Sequence, residues 1–150
     1  MYKNAYNELD VISLYLGNYG GRFYLREISE QSKLPLRTTQ IALSNLEDAG
    51  IVRSLVHGRN KYFILNPSNP ATKLYLLQAE IIRTIAFLEK YPSFRMFLEG
   101  LGDAPIILFG SFAKFSAGKD SDADMIIVSE KEKIPTHLLP CEKEKLKDVL

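Results

Sequence analysis

The 150-residue chain is short of the features that would take it out of the ordinary soluble class. Its single cysteine, Cys141, leaves no internal disulfide to form, which fits a reducing cytoplasm. No apolar run approaches the roughly 20 residues that span a bilayer. The opening residues, Met1 to Glu8, hold no apolar signal-peptide core. There is no internal repeat and no low-complexity tract. Charge of one sign is missing too: 19 Lys and Arg stand against 18 Asp and Glu, a net of +1. No global field therefore draws the chain to nucleic acid or membrane, and any such contact has to come from a local patch.

What is present is a composition that folds. The chain is 46% hydrophobic and 25% charged, which excludes a mostly disordered chain. The length allows one domain or two small ones. Asn66-Pro67-Ser68-Asn69-Pro70 is the clearest punctuation, since it continues neither a helix nor a central strand. Three parts are expected: residues 1–70, a connecting helical part over 71–103, and a short C-terminal domain over 104–150. The first carries 8 basic and 6 acidic side chains and the remainder 11 and 12. The excess of positive charge is thus in the first part.

In that part, Leu9, Ile12, Leu14, Tyr15 and Leu16 make an apolar helical face that stops near Gly17. A second helix fits Leu25 to Gln31, and Ser32-Lys33-Leu34-Pro35 is a turn because Pro35 disfavours helix at Leu34. A third fits Arg37 to Ala49, with Ile41, Leu43 and Leu46 on a buried side and Gly50 as its stop. Residues 51–56 and 61–65 read as strands joined by a hairpin tip at His57-Gly58-Arg59-Asn60. Most of residues 5–66 resembles the winged helix-turn-helix family. Arg37, Thr38, Thr39, Gln40 and Ser44, on the third helix, suit base edges and phosphates in a major groove. Arg59 and Lys61 in the wing suit the backbone beside it. The expected partner is double-stranded DNA, contacted by two copies because a net of +2 is modest. A protein-docking role is the other reading of the same surface.

Between the parts, Leu74, Leu77, Ile81, Ile85 and Leu88 recur at helical spacing in residues 71–91. They fit either a helix packed on its own core or a dimerisation helix.

Further on, Ile106 to Phe109 is an apolar run read as a buried strand, ending abruptly in Gly110-Ser111 before a helix start at Phe112-Ala113-Lys114-Phe115. A strand feeding a helix through Gly-Ser exposes backbone N–H groups that can hold a phosphate. Ser121-Asp122-Ala123-Asp124 then leads into Met125 to Val128, read as a second buried strand. Within a strand, residues two apart share a face. Paired carboxylates repel unless a cation lies between them, and oxygen ligands of this kind suit Mg²⁺.

Residues 104–130 resemble the nucleotidyltransferases of the DNA polymerase beta superfamily, most of all the small minimal nucleotidyltransferase type. The resemblance implies that Gly110, Ser111, Lys114 and Ser121 hold a nucleoside triphosphate, ATP foremost. It implies that Asp122 and Asp124 are the catalytic Mg²⁺ ligands. It implies in-line transfer of a nucleotidyl group to an acceptor, such as a toxin partner protein or a small molecule. Where the family usually has a glycine after the basic residue, this chain has Phe115. The family's third carboxylate comes from a later strand, whereas Glu142, Glu144 and Asp148 sit in a charged run. A regulator with a catalytically inactive nucleotidyltransferase-like domain is the alternative. His57, His137 and Cys141 have no metal-ligand spacing. The expected fold class is α+β: a winged helix-turn-helix of three helices and a hairpin, a connecting helix, and a short α/β sheet.

Overall fold

A computed structural model describes residues 3–101, 105–118 and 120–128. It is α+β, as expected, with helices interleaved with two small sheets. The chain divides into two compact units between Thr84 and Ile85. No helix among the described residues is long and apolar enough to cross a membrane.

The first unit begins with α1 (Lys3–Ser13), β1 (Phe23–Tyr24), α2 (Leu25–Ser32) and α3 (Leu36–Asp48). The hairpin strands β2 (Val52–His57) and β3 (Asn60–Leu65) follow. The sheet order is β1-β3-β2, all antiparallel. The two-residue β1 is an element that the pattern did not announce. His57 and Asn60 close the hairpin around Gly58 and Arg59, and Gly58 alone takes positive φ, as a II′ hairpin turn requires.

The core of this unit is Val11, Ile12, Tyr15, Ile28, Leu43, Leu46, Ile51 and Val52, with Phe23, Phe63 and Leu65 from the sheet. Ile41 departs from expectation. It is 49% exposed, and the inward side of α3 is Thr39, Ala42, Leu43 and Leu46. Ile41 falls one turn after Arg37 and so shares the outward face.

Polar side chains fix the ends of these helices. Gly50 stops α3 at φ +69, with its N–H donated to the Glu47 carbonyl and the Ile51 N–H to that of Leu46. That pairing is a Schellman motif. The next two exposed carbonyls are then taken by asparagines. Asn69 Nδ2 donates to Ala49 O at 3.0 Å and Asn66 Nδ2 to Gly50 O at 2.8 Å. Asn69 also caps α4 (Pro70–Lys90) by accepting from the Ala71 N–H at 2.9 Å, with Pro70 at the first helical position.

The second unit contains the end of α4, α5 (Pro92–Leu101), β4 (Ile106–Phe109), the single turn α6 (Gly110–Ala113) and β5 (Asp124–Ile127). α4 ends at Lys90 because Pro92 keeps Tyr91 out of the helical region. Phe87, Phe94, Phe97, Phe112 and Met125 form its core. The rings of Phe87 and Phe94 stand 5.0 Å apart, and those of Phe94 and Phe112 5.2 Å. β4 and β5 pair antiparallel, Ile106 with Ile127 through Phe109 with Asp124. The sequence reading of two buried strands is corrected here. Leu108 and Met125 face the aromatic core, while Ile107, Phe109 and Ile126 are exposed. A continuous apolar run signals burial on both faces only where both are covered.

Tyr15 is fully buried. Its hydroxyl donates to Phe63 O at 3.0 Å and its ring meets Phe23 edge-on at 5.1 Å. Burial, with a smaller push from Glu27, raises its phenol well above the ordinary value. Above pH of about 10 the unfolded chain releases this proton while the folded chain keeps it, so stability falls as pH rises. Tyr15→Phe is expected to cost about 1 kcal/mol at neutral pH and to flatten the alkaline loss. Thermal unfolding across pH measures both.

Candidate functional site

The strand-to-helix turn of the second unit follows from one residue. Gly110 opens α6 at φ +71, straight after the extended Phe109. A Cβ there would run into the carboxylate of Asp124. The turn and this acid are therefore in direct contact, brought together by the pairing of Phe109 with Asp124. The N–H groups that open a helix have no partner inside it, and here Ser111 and Phe112 supply them. α6 is one turn long, so these donors matter more than any dipole.

Lys114 caps the turn in helical conformation and is exposed. Phe115 follows with φ +59. This is the left-handed region that glycine occupies without cost and an L side chain resists. Several contacts bear on Phe115 there. Its ring lies edge-on to Phe87 at 6.2 Å, and Lys90 Nζ donates to its carbonyl at 3.1 Å. Lys90 is a residue the sequence reading missed, and a lysine 25 positions away on a helix gave no signal of it.

The acidic side differs in one respect from expectation. β5 begins at Asp124, so Asp122 precedes the strand and alternation does not fix its direction. Both are exposed. Ser121 Oγ accepts from the Gly118 N–H at 2.8 Å and closes a small turn ahead of Asp122. Among the described residues no group of three His, Cys, Asp or Glu is gathered for a metal. Glu142, Glu144 and Asp148, with His137 and Cys141, lie outside the described residues. The Asp124 carboxylate against the free N–H groups of the turn, with Asp122 two residues away in the chain, still fits Mg²⁺, which takes one or two carboxylates and completes its shell with water and substrate phosphates.

In the first unit, the outward face of α3 is Arg37, Gln40, Ile41 and Ser44, all exposed, with Thr38 half-buried beside it. Thr39 does not belong to it. It is fully buried, and its Oγ1 donates to Pro35 O at 3.2 Å, where it locks the start of α3. A threonine one residue from an exposed one is indistinguishable in sequence until the helix phase is known. Arg59 stands exposed in the hairpin turn. Lys61 is ion-paired to Glu47 at 3.0 Å and lies 4.9 Å from the Phe63 ring, so it ties the hairpin to α3.

Residues 88–149 match the family model described as "Nucleotidyltransferase domain". The match starts ahead of the 104–130 stretch that carries the motif. No curated protein sequence matches the chain. Two solved structures are similar in part. AF1382 from Archaeoglobus fulgidus is 21% identical, covering 57% of this chain and 90% of that one, with a TM-score of 0.43. The transcriptional regulator BldR from Sulfolobus solfataricus is 19% identical, covering 64% and 69%, with a TM-score of 0.46.

Gly110→Ala is expected to destabilise the second unit by more than the 1–2 kcal/mol or so of left-handed backbone strain, because Asp124 must also move. Shortening Asp124 to alanine should return the cost toward that figure. A double-mutant cycle by chemical denaturation reads the difference.

Proposed function

We propose that this chain is a DNA-binding protein whose nucleotidyltransferase domain transfers a nucleotidyl group from a nucleoside triphosphate, ATP foremost, to an acceptor hydroxyl. The observation that carries the reading is the contact between Gly110 and the Asp124 carboxylate. A turn shaped to hold an anion, set against a carboxylate, repels a phosphate until a cation lies between them. Asp122 and Asp124 would hold that Mg²⁺. When bound, the ion supplies neutralisation of the phosphates and a more acidic attacking hydroxyl. The turn's own work is positioning: the Ser111 and Phe112 N–H groups hold a phosphate oxygen, and Lys114 offsets the negative charge of the tail. Ser121 orders the approach to Asp122 through Gly118.

Pyrophosphate release from ATP tests the reading. The full chain should release it only with Mg²⁺. Asp122→Ala and Asp124→Ala should each lower the rate by at least a hundredfold, given the electrostatic share of such catalysis. An unchanged rate in both variants defeats it. Nucleotide binding without any release would instead leave a regulator whose domain senses nucleotide. The acceptor, a protein such as a toxin partner among the candidates, is then found by following label from the α-phosphate.

The first unit reads best as a winged helix-turn-helix on duplex DNA. Arg37, Gln40 and Ser44 face the groove, Ile41 adds an apolar contact suited to a thymine methyl, and Arg59 meets the backbone. Two copies on one duplex double the contacts of a weakly basic domain. Arg59→Ala should lower the slope of log affinity against log salt by about 1, whereas Thr39→Ser should leave that slope unchanged. Wild-type protein with no salt-dependent duplex binding removes this reading.

A further inference from the structure

The outer side of the first stretch of α4 carries Leu74, Leu77 and Ile81, exposed by 62%, 57% and 51%. The inner side, Thr72, Tyr75, Leu76 and Ala79, makes the contacts to the first unit's core. Spacings of three and four residues set the three aliphatic side chains in one stripe. Soluble monomers seldom leave a contiguous apolar stripe in water.

The charges beside the stripe say what covers it. Lys73 and Glu80 are both exposed and stand seven residues apart, so they occupy one flank, two turns from each other. The opposite flank presents Gln78 and Ile82, which carry no charge. Two identical helices that pair antiparallel set like flanks together; a parallel pair sets unlike flanks together. Only the antiparallel arrangement brings Lys73 of one copy against Glu80 of the other, and it does so twice. With its two-fold axis near Leu77, it also lays Leu74 against the second copy's Ile81.

We propose that a second copy of this chain covers the α4 stripe, antiparallel, with Leu77 at the centre and Lys73 of each copy paired with Glu80 of the other. This rests on the two-copy reading above, and it needs neither duplex nor nucleotide to be present.

The test uses the full chain with Cys141→Ser, free of DNA and nucleotide, in sedimentation equilibrium across a concentration series. A dimer is expected. Leu77→Glu should leave a monomer that keeps the wild-type helical circular dichroism and one cooperative melt independent of concentration, since the side chain is exposed. Lys73→Glu should weaken the dimer roughly tenfold, and adding Glu80→Lys should restore it. In the same background, a mixture of Leu74→Cys and Ile81→Cys chains should cross-link to each other, and Leu74→Cys chains should not cross-link among themselves. A monomer at every concentration overturns both this surface and the two-copy reading. A dimer indifferent to Leu77→Glu, or a Leu74→Cys chain that cross-links to itself, overturns the surface and leaves the two-copy reading standing.

Discussion

At Gly110 the chain turns from strand to helix with a carboxylate lying where a side chain would begin. Two demands meet in that position: a left-handed backbone and the close approach of β5. Only glycine satisfies both. The pairing of Phe109 with Asp124 brings the acid there, and the aromatic core beneath β4 and β5 holds the pairing in place. The free N–H groups of a helix start and a carboxylate oxygen are thereby neighbours, although a dozen residues separate them in the chain. The chemistry proposed for the second unit is a consequence of that proximity.

Much of this was legible from periodicity and punctuation. The α+β class, α2, α3 and β4 came from apolar spacing bounded by glycine and proline, and their observed limits differ from the expected ones by at most one residue. What escaped was everything set by the far side of an element. Ile41 and Thr39 exchange the roles assigned to them because a shift in helix phase of a fraction of a turn decides which faces inward. β1 escaped because two residues have no periodicity to read. The exposed faces of β4 and β5 escaped because an apolar run does not tell how many of its faces are covered.

The site was half legible for the same reason. Gly110-Ser111 and Asp122-Ala123-Asp124 stand out as motifs, since each residue type has a local reason to be there. Phe115 and Lys90 do not. A ring 6.2 Å away and a lysine on another helix meet the left-handed phenylalanine, and neither contact leaves a mark in the neighbouring sequence. A side chain at positive φ carries a backbone cost of about 1–2 kcal/mol that packing elsewhere offsets.

The asparagines at 66 and 69 have a mechanical meaning beyond the bonds they make. Each reaches a carbonyl at the tail of α3, and one of them also heads α4. The end of one helix and the start of the next are accordingly tied side chain to backbone at two points. A load on the first turns of α4 meets these two hydrogen bonds directly at the C-terminal end of α3, the helix whose outer face carries Arg37 and Gln40.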